Sequence, residues 1–274
     1  MITGSPQANH FFLHEGGRSL YAVHYFPRAV PSRGGILFVP AFMEEQNKSR
    51  RMVAEQARRL ADAGWHVLQL DLTGCGDSAG NHAEASWDAW LDDIAAGQRW
   101  LAAQVAGPFW YWGMRLGALL CMHSLQRHPQ RDLGLLFWQP VISGAQYVQQ
   151  VLRLRLAGDA AGRDGGATTT AALMARLQAG ETLEVAGYGL APALMLPMAE
   201  AKAVLPAEVR RIEWLEVSPR SEAALTVVAQ RQVEAWSAQT DIAARVVRGP
   251  SFWQTLEIEA APDLLVETLG AVGR

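Results

Sequence analysis

The most constraining feature of this chain is a series of short, wholly apolar segments alternating with helix-patterned stretches. Gly35 to Pro40 reads Gly-Ile-Leu-Phe-Val-Pro, with no polar position. A strand with one wet face alternates apolar and polar residues. An uninterrupted apolar run therefore marks a strand covered on both faces, as in a parallel sheet. His66 to Leu72, Phe109 to Met114, Leu133 to Gln139, Arg211 to Val217 and Ile242 to Val247 are the further strands. Helical spacing recurs between them. Met52, Ala57, Leu60 and Ala61 lead to a stop at Gly64, with Asn47 or Ser49 as cap. Trp87, Trp90, Leu91, Ile94 and Leu101 share a second helical face. Leu116 to about His128, Ser221 to Trp236 and Pro262 to Val272 complete the set. Such alternation with short joins implies right-handed crossovers onto one parallel sheet. Ahead of it, His10 to His14 and Ser19 to Phe26 flank Gly16-Gly17 as an antiparallel hairpin.

The rhythm breaks between residues 145 and 205, a span too long for a plain crossover. Pro192, Pro197 and Pro206 punctuate helix-like segments there. We read residues 1–274 as a single domain carrying an inserted helical lid at 145–205, with the small-residue stretch Gly158 to Thr170 as its flexible part.

Composition excludes several classes. Half of the 274 residues are hydrophobic and the net charge is −3, which rules out bulk disorder and gives no electrostatic case for nucleic acid. No apolar run has the length of a membrane span. The start MITGSPQANH lacks the basic and apolar regions of a signal peptide. Cys75 and Cys121 read as reduced thiols, so a cytoplasmic location is expected. Neither a metal nor an organic cofactor is expected: the cysteines lack ligand-spaced partners, no His-x-x-x-His occurs, and Gly74-Cys-Gly76 is not a dinucleotide fingerprint.

The order of elements resembles the α/β-hydrolase layout over essentially the whole chain: hairpin, strand and loop, the loop Asp71-Leu-Thr-Gly-Cys-Gly-Asp-Ser78, then a strand–turn–helix elbow. An elbow of that fold reads Gly-x-Ser-x-Gly, with the serine as nucleophile. Here the slot is Gly113-Met114-Arg115-Leu116-Gly117. Arginine stays protonated and offers no nucleophilic lone pair. The loop where the fold supplies its acid reads Ser218-Pro-Arg220, and the loop where it supplies histidine reads Gly249-Pro-Ser-Phe-Trp-Gln-Thr255; the last histidine of the chain is His128. A Ser-His-Asp relay is not expected. More narrowly, the chain resembles the exosortase A system-associated hydrolases of type 2. The residues that carry this resemblance are Pro40 to Arg51, Leu70 to Ser78 with Trp87-Asp-Ala-Trp90, Trp112 to Gly117, and Gly249 to Thr255. It implies an α/β-hydrolase fold, a hydrolase associated with exopolysaccharide and protein-sorting loci of Gram-negative bacteria, and a small-molecule or carrier-linked substrate.

Ligands of parallel sheets bind at the carboxyl ends of the strands. The loops meeting there carry Phe42, Glu44, Glu45, Asn47, Lys48, Asp77, Arg115, Leu116, Trp138, Gln139, Trp253 and Gln254 as candidate site residues. Arg115 precedes a helix, where the free N–H groups add to its positive charge. Three roles for it stay open: a buried pair with Glu44 or Glu45, an anion site, or a transition-state clamp. Consecutive residues in extended chain point opposite ways, so one of the two glutamates is expected to face the crevice, where it could serve as a general base. Two functions follow: hydrolysis of an acyl- or glycosyl-linked intermediate without a serine nucleophile, or non-catalytic binding of an anionic ligand or pathway partner.

Overall fold

The computed structural model describes residues 7–27, 30–161 and 169–273. Its centre is an eight-stranded sheet. In chain order the strands are β1 (Gln7–Glu15), β2 (Arg18–Phe26), β3 (Gly34–Val39), β4 (Trp65–Leu70), β5 (Phe109–Met114), β6 (Leu133–Trp138), β9 (Val209–Ser218) and β10 (Asp241–Arg248), with β7 and β8 lying outside it. They stand side by side in the order β1-β2-β4-β3-β5-β6-β9-β10. β1 and β2 are antiparallel to each other, β2 is antiparallel to β4, and the other neighbours run parallel. This is an α/β-hydrolase fold, a mostly parallel sheet flanked by helices.

The uninterrupted apolar strands are explained by two cores, one on each face. In β3, Ile36 and Phe38 pack with α1 (Glu44–Asp62) and α8 (Pro262–Val272). Leu37 and Val39 pack on the opposite face with α2 (Trp87–Gln104) and α3 (Leu116–Arg127). The same division runs through β5, where Trp110, Trp112 and Met114 join the first core and Tyr111 the second. Successive residues serve different cores, so neither alternate position can be polar.

Two helix starts differ from expectation. Helix α1 starts at Glu44, before Asn47 and Ser49, because Met43 turns the chain with φ 54° and leaves two acids in the first turn. Ser49 is inside the helix, and its hydroxyl donates to the Glu45 carbonyl. Helix α7 (Val227–Ser237) starts later than Ser221, where the Thr226 side chain accepts the Ala229 N–H.

Between β6 and β9 lie α4 (Gly144–Ala161), α5 (Thr170–Gln178), an antiparallel pair β7 (Leu183–Val185) and β8 (Tyr188–Leu190), and α6 (Pro192–Glu200). The hairpin was not foreseen, since three-residue strands carry too little periodicity to read. Position 144, where α4 begins, is glycine because the backbone crosses the end of α6 there, with no room for a Cβ beside the Met198 carbonyl. The core of the stretch expected to be flexible, residues 162–168, falls outside the described residues; Gly158 to Ala161 ends α4 and Thr169 caps α5.

The junction of β2 and β4 stores a pH dependence. His24 is buried and its Nε2 lies 3.1 Å from His66 Nδ1, a hydrogen bond that needs at least one neutral ring. Burial, then the neighbouring His66, lowers the His24 pKa to about 4, and burial lowers that of His66. The unfolded chain therefore binds more protons than the folded one as pH falls from the ordinary histidine value towards 4. The contribution of His24 is complete above that window and is lost through it, by up to about 3 kcal/mol. Urea unfolding of wild type and His24→Leu across this range should show the wild type losing stability faster on acidification. Parallel curves would refute the assignment.

Candidate functional site

The elbow between β5 and α3 is built as a nucleophile turn and filled with a cation. Arg115 has φ 54° and ψ −117°, a backbone state sparsely populated by non-glycine residues and worth roughly 1–3 kcal/mol of strain. Its N–H donates to the Trp138 carbonyl at 3.0 Å, and its carbonyl accepts the N–H groups of Ala118 and Val141. Two glycines allow the turn. A Cβ on Gly113 would come within 2.8 Å of Ala118, and one on Gly117 would press into the Val39 carbonyl oxygen of β3. These contacts require glycine at both positions and leave the side chain of the central residue outside the close approach.

The guanidinium is held by three elements. Glu45, in the first turn of α1, accepts from Arg115 Nε at 3.0 Å and Nη2 at 2.9 Å, both on Oε1. Tyr147 of α4 donates its hydroxyl to Glu45 Oε2 at 2.7 Å. The rings of Tyr147 and Trp253 lie 5.8 and 5.6 Å from the guanidinium carbon. Such cation–π contacts add most where water is excluded. Burial, followed by the Glu45 charge, drives the Tyr147 pKa well up, so its hydroxyl stays a donor. Both Glu45 oxygens are thus engaged. Glu44 and Glu45 are separated by one helical step and not by the alternation of extended chain. One of them still faces the elbow. Glu44 instead accepts from the Tyr188 hydroxyl at 2.6 Å and from Asn47, and Asn47 also donates to Tyr188. These bonds tie the β7–β8 hairpin to α1.

Two cavities flank this cluster. One, of about 350 Å³, is mainly apolar and is lined by Phe42, Met43, Lys48, Val151, Leu154 and Trp253, with Glu44, Glu45 and Gln254 also on its wall. The other, of about 370 Å³, is mixed: Arg115, Gln139, Gln146 and Glu216 line it together with Val141, Ile142, Trp214 and Val228. Tyr147 and Gln150 of α4 line both. Of the residues expected at the crevice, Phe42, Glu44, Glu45, Lys48, Trp253 and Gln254 meet at the apolar cavity, and Arg115 and Gln139 at the mixed one. The remaining four are elsewhere. Leu116 is wholly buried in the core. Trp138 faces α8, donating to the Thr268 hydroxyl at 2.9 Å, because alternation on β6 sends it away from the crevice. Asn47 is committed to Glu44 and Tyr188. Asp77 is exposed on the 71–78 loop and lines neither cavity; its N–H donates to the buried Asp71 carboxylate, which also accepts from Gln46 and Arg50.

Cys75 is buried, and the histidine near it is His82, with Nε2 3.7 Å from Sγ; neither His14 nor His24 is in this contact. Burial pushes the thiol up to about 12, aided by Asp71 and Asp93, and burial lowers the His82 pKa. A neutral thiol beside a neutral imidazole is not an activated nucleophile. Among the described residues no cluster of His, Cys, Asp and Glu suits a metal ion. Tyr147 and Glu216 escaped the sequence reading. Tyr147 has no local signature, but Glu216 could have been noticed as a carboxylate inside an apolar strand.

The fold and elbow define the class, and comparison with known proteins defines the family. Residues 31–258 match the family model described as Hydrolase_4, serine aminopeptidase S33. The chain belongs to that family. It is 28% identical over 109 residues to the palmitoyl-protein thioesterase ABHD10 of Rattus norvegicus, an alignment covering 37% of this chain and 33% of the relative. The match thus spans about one third of the relative's length. Among solved structures, Est1E of Butyrivibrio proteoclasticus with bound ferulic acid superposes with a TM-score of 0.62 at 16% identity, covering 96% of this chain and 100% of that one. Mouse α/β-hydrolase domain-containing protein 10 gives 0.59 at 16% identity, covering 97% and 98%. At such identities these structures establish the shared fold.

The elbow packing is directly testable. Gly117→Ala should lower stability by roughly 2 kcal/mol or more, since the Val39 carbonyl cannot move without disturbing β3. Gly270→Ala, on α8 with open space around it, should be neutral or stabilising. Equal urea midpoints for the two variants would contradict the close approach.

Proposed function

We propose that this α/β-hydrolase-family protein works without serine-nucleophile chemistry and binds a ligand whose anionic group is received at Arg115. The observation that carries this reading is the elbow: the strained turn is retained, a guanidinium fills it, and the adjacent carboxylate already holds three donors. A general base beside the elbow would have to take up a proton. On Glu45 that proton would cancel the charge that pairs with Arg115. Binding therefore accounts for the geometry better than water activation by Glu45. The missing relay is the second support, since no histidine follows His128.

The ligand we propose is an acyl- or glycosyl-linked intermediate, free or on a carrier, of an exosortase A-type exopolysaccharide system in the cytoplasm. The apolar cavity suits an acyl portion, in line with the thioesterase named among the partial relatives. Residues 145–205 would act as the lid, with Tyr147 on α4 and Tyr188 on the hairpin as its points of attachment.

Incubation with a fluorophosphonate probe should leave the purified protein unlabelled under conditions that label a serine esterase completely. A labelled serine would overturn the proposal. A medium-chain carboxylate such as octanoate should raise the unfolding temperature of wild type, and Arg115→Lys should lose most of that shift. Lysine keeps the charge but not the planar fork that pairs with carboxylates.

A further inference from the structure

We infer that the cavity between the elbow and β9 is a binding site for a hydroxylated carboxylic acid, a hexuronic acid being the simplest of the class: polar groups would meet its carboxylate and hydroxyls, and the apolar side chains beside them its ring faces. Arg115 takes the carboxylate and Glu216 accepts from hydroxyls. The inference rests on the reading that Arg115 receives the anionic group, and it adds which cavity holds that group and what chemistry surrounds it.

Arg115 lines this cavity and is absent from the lining of the apolar one. A guanidinium has five N–H groups. Nε and one Nη2 proton serve Glu45, and one Nη1 proton reaches the Gln139 carbonyl at 3.4 Å. The terminal nitrogens therefore keep N–H groups that a carboxylate could accept. The N-terminus of α3 adds its dipole to the same spot.

Glu216 is the second observation. It is 7% exposed and lines the cavity. Trp214 Nε1 donates to it at 3.1 Å, and the Thr226 N–H also does. No cation pairs with it among the described residues. Glu213, three positions earlier on β9, is as deeply buried but bridges Arg211 and Arg245. Glu213 is thereby explained by the fold, whereas Glu216 is not. A carboxylate has about four lone-pair sites, so roughly half of its accepting capacity is left for a ligand. Burial raises its pKa, and Arg115 and Tyr147 are the other titratable groups on the cavity wall. Gln139 is oriented as well. Its Oε1 accepts the Val217 N–H at 2.8 Å, which leaves its amide N–H groups as donors, and its backbone holds φ 45°. Ser143, just before α4, and Gln146 and Gln150 on it add hydroxyl and amide groups.

These walls discriminate. An alkyl chain here would strip water from Glu216 and the Gln139 amide without replacing its hydrogen bonds, a loss of about 1–3 kcal/mol for each group. A polyol replaces them. A dianionic phosphate would bring two charges between Glu45 and Glu216, whereas a carboxylate brings one.

The test is calorimetric titration of the full-length protein near neutral pH with D-glucuronate, D-glucose, octanoate and inorganic phosphate. Glucuronate should bind, with glucose and phosphate at least about tenfold weaker. Glu216→Gln and Gln146→Ala should each weaken glucuronate about fivefold or more and leave octanoate unchanged. Gln146 is exposed on α4, so its variant reports even where the buried substitution disturbs folding. Glucuronate binding that ignores both variants, or no glucuronate binding alongside Arg115-dependent octanoate binding, would overturn the sugar-acid site and leave the anion reading standing. If no carboxylate responds to Arg115→Lys, that underlying reading fails and this one fails with it.

Discussion

The pair between Arg115 and Glu45 organises the top of the sheet. A guanidinium with little access to water is costly unless it is paired and hydrogen-bonded, and removing one partner of such a pair costs more than the pair itself contributes. The chain meets that requirement from four places: the elbow supplies the cation, α1 the anion, α4 the Tyr147 hydroxyl, and the loop after β10 the Trp253 ring. Each segment is anchored elsewhere by its own packing. Their meeting at one point converts a turn under backbone strain into a fixed wall between two cavities.

That wall separates different chemistries. Alternation along α4 and the tilt of the loops place Val151, Leu154, Phe42 and Trp253 around one space, and Gln139, Gln146 and Glu216 around the other. A ligand spanning both would keep an apolar portion and a hydroxylated, charged portion apart, with the guanidinium at the boundary. The elbow geometry that in a serine hydrolase raises a nucleophile into the pocket here raises a positive charge. The scaffold keeps the geometry of the turn while the residue placed on it differs, which is why fold alone does not assign a reaction.

Much of the architecture was legible because it rests on periodicity. Apolar runs such as Gly35 to Val39 and Leu133 to Trp138 are long enough to announce strands buried on both faces, and Trp87, Trp90, Leu91 and Ile94 announce a helix packed on them. The elbow was legible because its glycines are sterically required. The boundaries that escaped depend on single dihedral angles or single caps. Met43 starts α1 at least four residues early through a positive φ that no residue type specifies. The β7–β8 hairpin is too short for its pattern to rise above chance. Within the site, Trp138 and Leu116 were placed by proximity in sequence to the crevice, and the pleat of β6 and the inward face of α3 turned both into the core.

By itself, then, the amino-acid order determined the sheet, the glycine-framed turn, and the presence of a permanent cation where an attacking oxygen would stand. Each follows from local rules: side-chain alternation, the steric needs of a tight turn, and the fixed protonation of arginine. Only the tertiary structure decided that Glu45 and not Glu44 meets the cation, that Tyr147 closes the cluster, and that Glu216 and Arg115 line one cavity. Those partners are separated by 70 to 102 positions along the chain where they touch. Contacts at such separations are set by how finished elements pack, and no short-range pattern encodes them.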